Sequence, residues 1–425
     1  MTSRERIEAV LRRKPTDILA IDFGGTGTTG INIYTYLAAK RLLGLPETML
    51  YQPEVLSQLV EIEPSMLEAT GGDVICLWRQ TPCLGLRVTD YHPGTLLDGK
   101  TKAWVPDSFA PVLLENGDLS YRKPLDDLVH PYPTAEGKSY DVGKEVSRCP
   151  KGMHAFCRTY HPMEKVDTLE EFRKWSFPVM DAQELADIER RAKLYYEATD
   201  KALCGVFNGN VFELGQLYFG YENFLCSLVD EDMEDMVGEY FEKRTDLLLE
   251  DLKRYLAACG KYIACIEFTE DLGTQQSLLL PPGIYRKWVK PCHKRMFDYI
   301  HTHYPEVKVL LHSCGAVHDL IPDFIEIGAD ALNPVQISAE GMAPERLVRD
   351  FGQDITFWGG GVDTQSTLCR KSPEEVKAEV LHNLDVFTKG AGYVFAQVHN
   401  VEASVSGENL LAAFLTAKEY RKNFR

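Results

Sequence analysis

The chain has 425 residues, 44% of them hydrophobic and 26% charged, which is enough apolar material for a large packed core and gives no bias toward disorder. Its 63 acidic residues outnumber 46 basic ones, for a formal charge of −17. That excess opposes binding to nucleic acid or to an anionic membrane surface, both of which need clustered basic charge.

Met1-Thr2-Ser3-Arg4-Glu5-Arg6 passes directly into an amphipathic pattern, without the charged, apolar and small-residue sequence of a secretory leader. Thr2 and Glu5 form a capping-box start, and Ile7, Val10 and Leu11 then share one helical face. Short apolar runs follow, each ending in polar residues or glycine. They are Ile18 to Gly24, Asp73 to Trp78, Ala202 to Asn208 and Tyr262 to Asp271, then Val307 to Gly315, Ala331 to Gln336, Ile355 to Asp363 and Gly392 to Asn400. Helical patterns lie between most of them, at Glu222 to Ala258, Pro282 to Tyr304, His318 to Ile327 and Pro373 to Phe387. Eight buried strands alternating with helices predict an α/β fold, a closed parallel (β/α)8 TIM barrel, over the open doubly wound sheet.

Residues 80–175 break the rhythm, being rich in Tyr, Pro, Gly and Asp with short alternating pieces such as Lys102 to Val105 and Leu119 to Tyr121. We read them as a β-rich insertion after the second strand of a single barrel that occupies 1–425. It suits a cover over the active site and, equally, a peripheral decoration or a contact in a possible homodimer. The longest apolar stretches, near Ile263 to Ile266 and Val307 to Leu311, fall far short of the roughly 20 residues that cross a bilayer. Eleven cysteines without paired spacing fit a reducing compartment, so a cytoplasmic enzyme with no membrane contact is expected.

Barrel active sites are built at the C-terminal ends of the strands. The fifth strand ends His312-Ser313-Cys314-Gly315, where alternate residues share a face. His399, at the end of the eighth strand, lies on the same rim. Together His312, Cys314 and His399 make a nitrogen and sulfur set suited to zinc (Zn2+), with a further position open to water, substrate or a carboxylate. Glu267, Glu270 and Asp271 at the fourth strand and Asp363 at the seventh are the carboxylates at hand. We take Asp271 and Glu267 as the candidate catalytic acids, although Asp271 and Asp363 equally suit helix caps. Asp22, Asn208, Gln336, Trp358 and Asp363, all at strand ends, form the candidate substrate-binding set. Gly24 to Gly30 lacks the Lys-Ser/Thr ending of a P-loop and the G-x-G-x-x-G spacing, which argues against a nucleotide site.

Several segments taken together carry a resemblance: Leu311 to Gly315, Asp330 to Gln336, Phe357 to Gln365, Thr2 to Arg6, Asp271 to Gln275 and Val398 to Val401. The chain resembles the uroporphyrinogen decarboxylase superfamily, on the branch of the corrinoid-dependent zinc methyltransferases, over nearly its whole length and least across the insertion. The decarboxylases proper open on an arginine-rich pattern that grips substrate carboxylates and end the second strand in aspartate. Here the first strand ends Asp22-Phe23-Gly24-Gly25 and the second ends Cys76-Leu77-Trp78-Arg79, which argues against porphyrinogen decarboxylation. The zinc methyltransferases carry H-x-C-G and a later cysteine. His312 and Cys314 match the first two ligands, while His399 stands where the cysteine is expected.

The resemblance implies methyl transfer between a small methylated substrate and a corrinoid (cobalamin) carried by a partner protein, since no cobalamin module is visible in this chain. The direction expected is demethylation of an ether or amine, with aromatic methyl ethers suggested by Trp78, Tyr218, Tyr221 and Trp358. The alternatives are a cofactor-free decarboxylase or lyase acting on a small carboxylic acid through His399 and Asp271, and a non-catalytic protein that binds a tetrapyrrole or corrinoid at the barrel mouth.

Overall fold

A computed structural model describes residues 1–55, 57–80, 88–96, 98–107, 161, 163–166 and 168–423, with the backbone alone of Val112–Leu113, Leu119–Ser120, Arg122–Lys123 and Tyr140–Asp141. Eight parallel strands form one sheet: β1 Ala20–Ile21, β2 Val74–Leu77, β3 Ala202–Asn208, β4 Cys265–Thr269, β5 Lys308–His312, β6 Ala331–Asn333, β7 Thr356–Trp358 and β8 Tyr393–Phe395. Neighbours follow chain order from β2 to β8, and β8 pairs with β1. The ring is completed at Asp73, whose amide donates to the Ile21 carbonyl at 2.7 Å while its carboxylate accepts the Ile21 amide at 2.9 Å. Each of the eight predicted strand runs contains one of these strands, in a (β/α)8 TIM barrel.

Alternation along the strands sorts their residues into two sets. Ala20, Val74, Cys204, Cys265, Leu310, Ala331, Trp358 and Val394 pack together inside the barrel, with Ile7, Val10 and Leu11 of the first helix, Ser3–Leu11. Ile21, Leu203, Ile266, Val309, Leu311, Leu332, Phe357 and Phe395 face outward into the helical layer. Continuing the inward period beyond the apolar layer toward the C-terminal ends brings in Asp22, Glu267, His312 and Asn333, all buried. Register aligns them: His312 pairs with Thr269 on one side and Asn333 on the other.

The helix Pro373–Phe387 forms where predicted, started by a Ser372 and Glu375 capping box. The run Glu222 to Ala258, read as one helix, is divided into Tyr221–Ser227, a 3-10 turn at Glu231–Met233 and a helix at Glu234–Cys259. Asp230 causes the break, because its carboxylate caps the Asp232 amide at 2.9 Å and ends the preceding turn. In the 80–175 region, His92–Thr95 pairs antiparallel with Lys102–Val105, which pairs parallel with Leu50–Tyr51 from the β1–β2 connection. Leu119–Ser120 pairs with Val112–Leu113 and Arg122–Lys123 with Tyr140–Asp141. The rest of that expectation falls largely outside the described residues. No described helix is long and apolar enough to cross a membrane.

Candidate active site

β5 ends at His312, and the chain then turns at Gly315, where φ is +87°. A Cβ at Gly315 would lie 2.4 Å from the Gly273 carbonyl carbon, so only glycine lets the loops after β4 and β5 cross this closely. That crossing sets Cys314 beside His312, with Sγ 3.3 Å from Nε2. His399 follows β8 with φ of +60°, and its ring lies 5.1 Å from that of His312, centroid to centroid. One ligand atom from each of His312, Cys314 and His399 lies within 4.8 Å of the others. Bonds of roughly 2.0–2.3 Å to nitrogen and sulfur put zinc donors about 3.5 Å apart in a tetrahedron, so this donor set fits that ion with small side-chain movements.

The three acids after β4 meet different fates. Glu267, fully buried, accepts the amides of Gly27 at 2.8 Å and Thr28 at 3.2 Å and the Thr28 hydroxyl. It therefore clamps the loop 24–30 across the barrel. Glu270, also buried, accepts the amides of Val211, Phe212 and Glu213 at 2.7–3.0 Å and caps the helix Phe212–Phe219. Asp271 alone reaches the mouth: Oδ1 accepts the Cys314 amide at 2.8 Å and lies 3.7 Å from His312 Nε2, with the side chain 39% exposed. Burial, and then the charge of Asp271, push the Cys314 thiol well above its ordinary range. A thiolate at this position therefore requires a neighbouring cation.

The proposed substrate-binding residues are dispersed by depth. Asp22 and Trp358 lie at the barrel's centre, fully buried, with the indole Nε1 donating to Asp22 Oδ2 at 2.7 Å. Asn208 and Gly209 take φ of 69° and 70° in succession, turning the chain after β3. Asp363 builds the turn after β7, accepting the amides of Gln365 at 3.3 Å and Ser366 at 3.1 Å. Gln336 stands next to the cluster. Its Oε1 accepts the Gly315 amide at 2.8 Å, and its buried Nε2 has no partner among the described residues. Of the aromatic residues considered, Trp78 is buried, Tyr218 packs on Trp175 and Phe177, and Tyr221 is exposed.

Two residues of the site, Glu213 and Thr28, do not stand out in the sequence. Glu213 accepts a hydrogen bond from Asn210 Nδ2, and burial, then Asp271, then Glu270 push its carboxyl well up. The Asn210-x-x-Glu213 spacing at the start of a helix was its available signal. Thr28 was hidden in the glycine-rich loop, which reads as flexible but is tied to Glu267 and Asn333.

An eight-stranded barrel with a His, Cys and His cluster at its C-terminal mouth defines the class of protein. Residues 220–420, which span β4 to β8, match the family model described as uroporphyrinogen decarboxylase (URO-D). That match covers slightly less than half of the chain. Among solved structures it is similar to a methyltransferase from Methanosarcina mazei, at 13% identity and a TM-score of 0.56 over 99% of both chains, a likeness of fold. An endo-1,4-beta-xylanase from Caldicellulosiruptor owensensis matches at 11% identity and a TM-score of 0.28, covering 50% of this chain and 88% of that one. No curated protein sequence matches the chain.

Proposed function

We propose that the protein is a methyltransferase that moves a methyl group between a small methylated substrate, an ether or amine, and a corrinoid carried by a partner protein, with zinc held by His312, Cys314 and His399. The observation that carries this reading is the convergence of those three donors within 4.8 Å at the barrel mouth, where barrel enzymes do their chemistry. The likeness of the whole chain to a protein described as a methyltransferase supports it. Bound zinc would act as a Lewis acid toward the substrate heteroatom or hold a thiolate.

The chain's own residues do the rest. Asp271, partly exposed and anchored on the Cys314 amide beside His312 Nε2, would exchange a proton with the substrate heteroatom, giving one to the oxygen or nitrogen that loses its methyl group and taking one back in the reverse direction. Gln336, its oxygen fixed by Gly315, offers Nε2 as a donor to a substrate acceptor. Glu267 holds the 24–30 loop as one wall.

The test is metal analysis of the purified wild type and of His312→Ala, Cys314→Ser and His399→Ala, paired with methyl transfer to added cob(I)alamin from methoxylated and methylamine donors. Near-stoichiometric zinc in the wild type, reduced more than about tenfold in affinity by each substitution, is expected together with transfer from at least one donor. Wild type free of zinc and inactive with every donor would sink the proposal.

A further inference from the structure

We infer that Asn333 is a positioning residue that fixes the tautomer of His312, and that Glu267 and Thr28 hold Asn333 to this task; the inference rests on the zinc reading above. The two ends of the Asn333 amide are distinguished by their partners. Nδ2 lies 3.1 Å from the Trp358 carbonyl oxygen, which only accepts, so Nδ2 is the donor end. Oδ1 therefore faces His312 Nδ1 at 2.5 Å. A carbonyl oxygen cannot donate, so the ring hydrogen sits on Nδ1. In the neutral ring Nε2 is then bare, and Nε2 is the nitrogen that stands 3.3 Å from Cys314 Sγ. The chain thus presents a lone pair to the ligand cluster before any ion arrives.

The holder is rigid. Asn333 is fully buried and ends β6, and its amide spans to β7 at Trp358, itself fully buried and bonded to Asp22. On the other side the single hydrogen of Thr28 Oγ1 is shared between Asn333 Oδ1, 2.9 Å away, and Glu267, and Glu267 holds the hydroxyl in reach of Asn333 by taking the Gly27 and Thr28 amides. A ligand imidazole whose second nitrogen is bonded in this way is oriented and made a better donor, and loss of such a partner costs metal affinity about 10–100-fold. Glu267, selected from sequence as a catalytic acid, becomes a positioning residue on this inference, acting through Thr28.

The test uses full-length protein carrying 15N-histidine, without metal and at mildly alkaline pH, with the His312 signals assigned by their loss in His312→Gln. Wild type should show a protonated Nδ1 and a bare Nε2. In Asn333→Ala the signals should move to a tautomer mixture and zinc affinity, read by chelator competition, should fall about 10–100-fold. Asn333→Asp keeps an acceptor for Nδ1–H and should retain the wild-type tautomer and most of the affinity. If Asn333→Ala does not fold, Thr28→Val, which leaves Asn333 in place, should broaden the tautomer preference and loosen zinc by a smaller factor. An Asn333→Ala protein with wild-type His312 signals and wild-type affinity overturns the inference, as does a folded Thr28→Val identical to wild type when Asn333→Ala is lost. Wild type with the expected tautomer but no zinc binding instead rejects the zinc reading and leaves the role of Asn333 standing.

Discussion

Asp22 offers a direct measurement of how dry the barrel centre is. The carboxylate is fully buried at the end of β1 and accepts the Gly25 amide at 2.5 Å, the Thr29 hydroxyl at 2.8 Å and the Trp358 indole at 2.7 Å. Burial pushes its pKa from 3.8 up to about 6, the three donors pull it back, and the charge of Glu267 adds to the rise. A folded-state value above the unfolded one means that the native protein binds more protons between pH 3.8 and about 6. The stabilisation linked to that proton is complete below the lower value and is lost as pH rises through the upper one. A gap of about 2 units at 1.36 kcal/mol each gives about 3 kcal/mol. Asp22→Asn does not titrate. The difference in unfolding free energy, wild type minus variant, should therefore fall by about 3 kcal/mol from pH 3 to pH 7, about 2 kcal/mol of it between pH 4 and pH 6, and be flat above pH 7. Urea unfolding followed by circular dichroism at a series of pH values reads it, and the subtraction cancels groups unaffected by the substitution. A difference that stays constant across that range would mean that the carboxyl titrates at its ordinary value, so that water reaches it.

Two further substitutions probe the frame around the site. Asp73 takes Ser3 Oγ at 2.7 Å, Arg6 at 2.8 Å, Arg421 and the Ile21 amide where the barrel closes, so Asp73→Ala strands buried cationic and amide donors. A loss of about 3–5 kcal/mol in denaturant unfolding is expected, and a loss below about 1 kcal/mol would show that the seam is held by other contacts. Gly315→Ala adds a Cβ at 2.4–2.5 Å from the Gly273 carbonyl group and strains a φ of +87°. It should cost at least about 2 kcal/mol and disturb metal binding with it, and a variant of wild-type stability contradicts the close crossing of the two loops.

The strands were legible because each is a short run of apolar residues cut off by glycine or polar residues, a pattern that tertiary context rarely overrides when both faces are buried. His312 and Cys314 were legible as neighbours, since alternation puts them on one face and the strand end places them at the mouth. Depth was not legible. Period two identifies the inward residues Asp22, Glu267 and Trp358 but leaves open whether an inward side chain meets substrate or the packed centre, and these three meet the centre. Thr28 escaped for a different reason. A glycine-rich loop reads as mobile until the partners of its hydroxyls are known, and those partners lie 239 and 305 residues away in the chain.

The acids around β4 show how much rests on that missing coordinate. Glu267 and Glu270 are both 0% exposed, and every carboxylate oxygen of each already accepts an amide, hydroxyl or ring hydrogen. Freeing either for proton transfer would uncover several buried donors at once, at about 1–3 kcal/mol for each. Asp271 is one residue beyond Glu270, yet its carboxylate has a single amide to satisfy through Oδ1 and stays 39% exposed. It changes partner at far smaller cost, with the His312 ring 3.7 Å away. Of the acids on this strand exit, Asp271 is the one left with a partly exposed carboxylate beside His312, while Glu267 is spent on holding the 24–30 loop in place.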